Sequence, residues 1–90
     1  MTVESALQTL HWLHEIYVEA QETINRLSGG RRGIPRSLAN TMSEKEYNSL
    51  INEYTEAVAA KTKSREAYLA IRAFYAFPEA MDKAVRQKEK

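Results

Sequence analysis

"ALQTLHWLHEIYVEAQETINRL", Ala6 to Leu27, decides the fold. Read at alternating steps of four and three, Ala6, Leu10, Leu13, Tyr17, Ala20, Ile24 and Leu27 fall on one line, and Val3 extends it by a further step. That period marks one stripe of an amphipathic helix; a half-buried strand would instead alternate residue by residue. Thr2 is suited to cap the start, with the acid Glu4 in the first turn, where the helix dipole favours negative charge. Gly29 and Gly30 supply a stop, because glycine adopts the left-handed conformation that closes many helices. The reading predicts a first helix over about residues 3–28.

Working outward, a second helix begins at "SEKE", Ser43 to Glu46. This is a capping box, in which the serine hydroxyl and the glutamate carboxylate each satisfy an amide that the helix leaves unpaired. Met42 is placed to pack on Tyr47 as a staple. From Ser43 no glycine or proline intervenes until Pro78, which predicts a helix over about 44–76. Its seam changes character midway. Large residues (Tyr47, Leu50, Ile51, Tyr54, Val58) give way to small ones at Ala57, Ala60, Ser64 and Ala67, before Ile71 and Phe74. "AKTKSRE", Ala60 to Glu66, is the polar stretch at which the alternative, a bend or break, would fall. Proline is tolerated in a first helical turn, so Pro78 opens a short third helix over about 78–87. Pro35 likewise opens a single turn through Leu38. The fold class is all-α: a long antiparallel helical hairpin with a short third C-terminal helix, paired into a dimeric helical bundle. Leu10, Leu13, Tyr17, Ile24, Leu50, Ile51 and Tyr54 are its expected core.

The expectation of a dimer comes from size and surplus. A chain of 90 residues is one domain and hides only about 60–65% of its unfolded surface. It has no cysteine, so neither disulfides nor thiolate metal sites can supplement the core. Folded back on itself, the hairpin leaves Ile71, Phe74, Tyr75 and Phe77 beyond the end of the first helix. Trp12, Ile16 and Leu7 widen the first helix's apolar arc past what one neighbour can cover. Either the third helix or a second chain must cover them, and a two-fold pairing would cover both surpluses. The first 25 residues lack Lys and Arg and contain no unbroken apolar block. Neither a signal peptide nor a spanning helix is expected there, and a cytoplasmic location is.

Charge is unevenly placed. The net value is +1, yet residues 1–28 hold four acids and one base, whereas residues 29–42 hold Arg31, Arg32 and Arg36 and no acid. That connector, "GGRRGIPRS", superficially resembles a phosphate loop, but a helix precedes it, and Ile34-Pro35 interrupts the required spacing and removes an amide. Nucleotide binding is rejected. In "HWLHE", His11 and His14 share a helix face with Glu15, followed by Glu19 and Glu22. Neither the metalloprotease pattern nor the Glu-x-x-His pairs of di-iron bundles is present, so these read as surface histidines beside solvated glutamates. Paired carboxylates there lack the contrasting environments that acid–base catalysis needs. Small helical enzymes that use buried arginines leave Arg65 and Arg72 as the slim enzymatic option; none is expected, nor any cofactor, metal or small-molecule substrate.

Interaction remains. Lys61, Arg65, Tyr68 and Arg72 recur at steps of four, three and four along one face of the second helix, and Tyr75 and Phe77 join Phe74 at its end. Tyrosine and arginine dominate interface energetics. The expected function is a small adaptor, inhibitor or assembly factor. It would bind a protein partner through the aromatic helix surface and the loop arginines 31, 32 and 36, and pair with a second copy. The alternative is nucleic-acid binding through that loop and the Lys61/Arg65/Arg72 stripe, against which stands the near-neutral charge.

Overall fold

The computed structural model describes residues 2–29 and 33–87. Three α-helices follow in order: α1, Val3–Ser28; α2, Glu44–Arg72; and α3, Pro78–Gln87. The connector contributes a 3-10 helix, Arg36–Asn40. No strand occurs among the described residues. α1 and α2 pack along each other and α3 folds back onto α1. The pairing is antiparallel: Arg26 near the end of α1 reaches Glu53 near the start of α2, at 2.8 Å. At the opposite end Ala6 and Leu10 meet Tyr68 and Ile71. The result is a rod, 52 × 22 × 17 Å.

The helix ends follow local chemistry. Thr2 Oγ1 accepts the Ser5 amide at 3.1 Å, and Gly29 takes the left-handed conformation at φ 62°, its amide donating to the Asn25 carbonyl. Ser43 Oγ accepts the Glu46 amide at 3.2 Å, which supplies one half of the capping box. Extended Pro35 leads into the 3-10 turn, where the Leu38 amide bonds the Pro35 carbonyl. Arg36 is exposed at its start. Gly30, Arg31 and Arg32 lie outside the described residues.

α2 runs unbroken through Ala60 to Glu66. The small side chains explain this, since Ala57 and Ser64 are buried on the seam against α1. The Ser64 hydroxyl is satisfied within the helix by the Lys61 carbonyl at 3.0 Å. The helix does stop four residues earlier than its spacing suggests. After Arg72, Phe74 and Tyr75 donate to Ile71 and Arg72 through three-residue bonds that tighten the chain, and Pro78 disfavours a helical residue before it. The reversal seats α3.

That seat is the core's densest part. Leu10, at 0% exposure, and Val85, at 1%, are the largest fully buried side chains, and they cluster with Ala6 and Met81. Leu13 and Ile24 are buried as expected. Tyr17, Leu50, Ile51 and Tyr54 are only half-buried, a correction with a simple cause. α3 has 10 residues and spans about 15 Å, whereas α1 runs about 39 Å. Over the loop-side half only two α-helices meet, which leaves these four side chains an open flank while smaller or more central neighbours such as Ala20, Ile24 and Ala57 are buried. α3 itself covers part of the predicted overhang. Ile71 and Tyr75 pack against the cluster, while Phe74 and Phe77 stay 87% and 75% exposed, and Trp12 stays 60% exposed.

Candidate partner-binding site

Residues four, three and four apart share one edge of a helix, so Lys61, Arg65, Tyr68 and Arg72 line α2 where it borders α1 and α3. The structure divides them. The Tyr68 hydroxyl donates to Asp82 Oδ1 at 2.7 Å, and Arg72 Nη2 lies 2.8 Å from Asp82 Oδ2. One α3 carboxylate therefore takes both groups at the α3 end of the stripe. This role of Asp82 is invisible in the sequence, where it is merely the sole aspartate; no spacing relates it to residues 68 and 72.

Burial of the Tyr68 phenol, then its hydrogen bond to Asp82 and that carboxylate's charge, push its pKa up to about 12 from 10.0. A raised folded-state value favours the protonated phenol. The stability it contributes is complete below pH 10 and is lost as the pH rises towards 12. Thermal melts across that window should show Tyr68→Phe losing less stability than the parent, because the substituted ring has no proton to release. Equal losses in the two proteins would remove this account of the pH dependence.

At the other end of the stripe, the cations are not matched by carboxylates. The Lys61 ammonium sits 5.7 Å from the centroid of the Tyr17 ring, within the range of cation–π attraction. Arg65 is exposed and makes no ion pair or hydrogen bond among the described residues. Beside it the α1–α2 cleft opens into a recess of about 200 Å³, floored by Leu13, Tyr17 and Ser64 and edged by His14, Arg65 and Tyr68. The His14 ring lies 6.5 Å from both Tyr17 and Tyr68. A second recess, about 510 Å³, continues from Arg65 and Leu69 to Ile24, Tyr54 and Val58.

A third groove, about 470 Å³, lies between the start of α1 and α3, lined by Val3, Leu7, Tyr75, Phe77 and Ala84. Phe77 forms part of its wall and Phe74 stands close by in sequence, so this end of the rod presents an apolar knuckle. His11 Nε2 pairs with Glu15 at 2.9 Å, while its Nδ1 is buried without a partner. No three His, Asp or Glu side chains gather as metal ligands among the described residues, and no described helix is long and apolar enough to cross a membrane.

Comparison of the chain with protein-family models, with curated proteins and with solved structures finds no match. The site must be read from its own chemistry.

Proposed function

We propose that this chain is a small non-enzymatic interaction protein, an adaptor, inhibitor or assembly factor, that engages a protein partner through the aromatic side chains exposed at the turn between α2 and α3. The observation that carries the reading is the knuckle: Phe74 and Phe77 are largely exposed beside an apolar groove. Burying one such ring is worth about 1.5–3 kcal/mol, so leaving two in water makes sense when another surface covers them. The same knuckle suits pairing of two copies, and the exposed Arg36 with its neighbours in the connector suits an acidic patch on the partner.

Two measurements test this. Light scattering coupled to gel filtration should give twice the 10.3 kDa chain mass, reduced to the single-chain value by Phe74→Glu. Tagged protein recovered from extracts of its source cells should carry a stoichiometric protein partner that survives nuclease and is lost with Phe74→Glu. Recovery of nucleic acid alone, released by moderate salt, would favour the nucleic-acid alternative instead.

A further inference from the structure

α3 shows how the α1–α2 cleft holds a helix. It inserts two apolar side chains one turn apart, Met81 and Val85, onto Ala6 and Leu10. The carboxylate next to the first of them, Asp82, is gripped by Tyr68 and Arg72 from the α2 edge. The same arrangement recurs seven residues along. On α1, a step of seven carries Ala6 and Leu10 to Leu13 and Tyr17; on antiparallel α2, the matching step back carries Tyr68 and Arg72 to Lys61 and Arg65. Seven residues return a helix to nearly the same face, about 10 Å further along its axis. Leu13, Tyr17 and Arg65 do border one recess, which shares Tyr68 with the α3 seat. This second seat has an apolar floor and a cationic rim, and none of the described residues fills it.

We propose that the open length of the cleft receives an acidic amphipathic helix from a partner protein. It would place two apolar side chains one turn apart over Leu13 and Tyr17, with a carboxylate beside them facing Arg65 as Asp82 faces Arg72. The wider recess at Ile24, Tyr54 and Val58, edged by the two cations Lys61 and Arg65 and one carboxylate, Glu66, extends the seat to about 20 Å along α2 from Tyr68 to Tyr54, room for an occupant of about four turns. Charge selects the occupant. An arginine beside an apolar floor forms bidentate bonds with a carboxylate and repels a lysine-rich helix. A second copy's α3 is a poorer fit, because it carries Lys83 and Arg86 as well as its acids and is held in its own seat at high effective concentration.

This inference rests on the protein-binding reading above, and the two fail separately. The probe is a labelled helical peptide of about four turns with leucines at heptad spacing and glutamates flanking them. Its counterpart has lysine at every glutamate. By fluorescence anisotropy the acidic peptide should bind the full chain saturably, and the charge-reversed variant Lys61→Glu/Arg65→Glu should bind it at least about tenfold more weakly. The lysine peptide should show the opposite order. Arg65→Ala, with circular dichroism matching the parent, should give an intermediate loss and guards against a misfolded double variant. Phe74→Glu should bind the acidic peptide as the parent does. Equal affinity for both peptides, absence of saturable binding, or association between copies that depends on Arg65 would overturn the proposal. If Phe74-dependent association persisted in any of those cases, the knuckle would stand without the cleft.

Discussion

Replacing Leu10 with alanine should remove a large share of the protein's stability. Leu10 is fully buried where α1, α2 and α3 meet, so the vacated space is walled on all sides and collapse is limited. Such truncations cost about 2–5 kcal/mol. At about 0.05–0.15 kcal/mol per residue, a chain of 90 residues has only about 5–13 kcal/mol in total, and this one concentrates its packing at a single end. Chemical denaturation followed by circular dichroism should show the midpoint collapsing. Leu50→Ala provides the contrast: Leu50 is half-buried in the two-helix region, and its loss should move the midpoint much less. Equal shifts at the two sites would show that the core is not centred on the α3 seat.

Asp82→Ala should release α3. The carboxylate satisfies the Tyr68 hydroxyl and the Arg72 guanidinium together, and Arg72 Nε is already buried without a partner. Removing the acceptor strands a part-buried cation and a phenol, a loss of about 1–3 kcal/mol. The effect should be local. Amide exchange within Met81–Gln87 should accelerate by at least about tenfold, the equivalent of about 1.4 kcal/mol. Amides in the middle of α1, around Leu13 to Ala20, should change less. Uniform acceleration through all three helices would mean that α3 does not open as a separate unit.

The helices were legible because their signals are local. The 4-3 spacing from Ala6 to Leu27, the caps Thr2, Gly29 and Ser43, and Pro78 each act within a turn or two of where they stand. What escaped depends on contacts between distant parts of the chain. The end of α2 at Arg72 is set by the demand that Met81 and Val85 reach Ala6 and Leu10, and no residue near 72 announces it. Periodicity put Leu50, Ile51 and Tyr54 on one seam, and all three are half-buried, because periodicity reports direction and not depth; how much each is covered depends on where α3 stops. Within the candidate site, the stripe Lys61–Arg65–Tyr68–Arg72 could be read from the sequence, whereas its division by Asp82 could not. The loop arginines 31 and 32 lie outside the described residues, so for the connector the structure speaks only to Arg36 and its neighbours.

The α3 seat also bears on how the chain is made. Its two halves lie about 70 residues apart in the sequence, so Ala6 and Leu10 leave the ribosome well before Met81 and Val85. Until Met81 and Val85 emerge, the nascent hairpin has nothing to close over Ala6 and Leu10, so this seat is assembled only after both helices of the hairpin have been made. A hairpin alone cannot substitute, because its loop-side half leaves the large side chains Tyr17, Leu50, Ile51 and Tyr54 only half-buried. A message interrupted ahead of Met81 would therefore yield a chain with the signals of α1 and α2 intact and its tightest packing missing, a product exposed to chaperones and proteases from the moment of release.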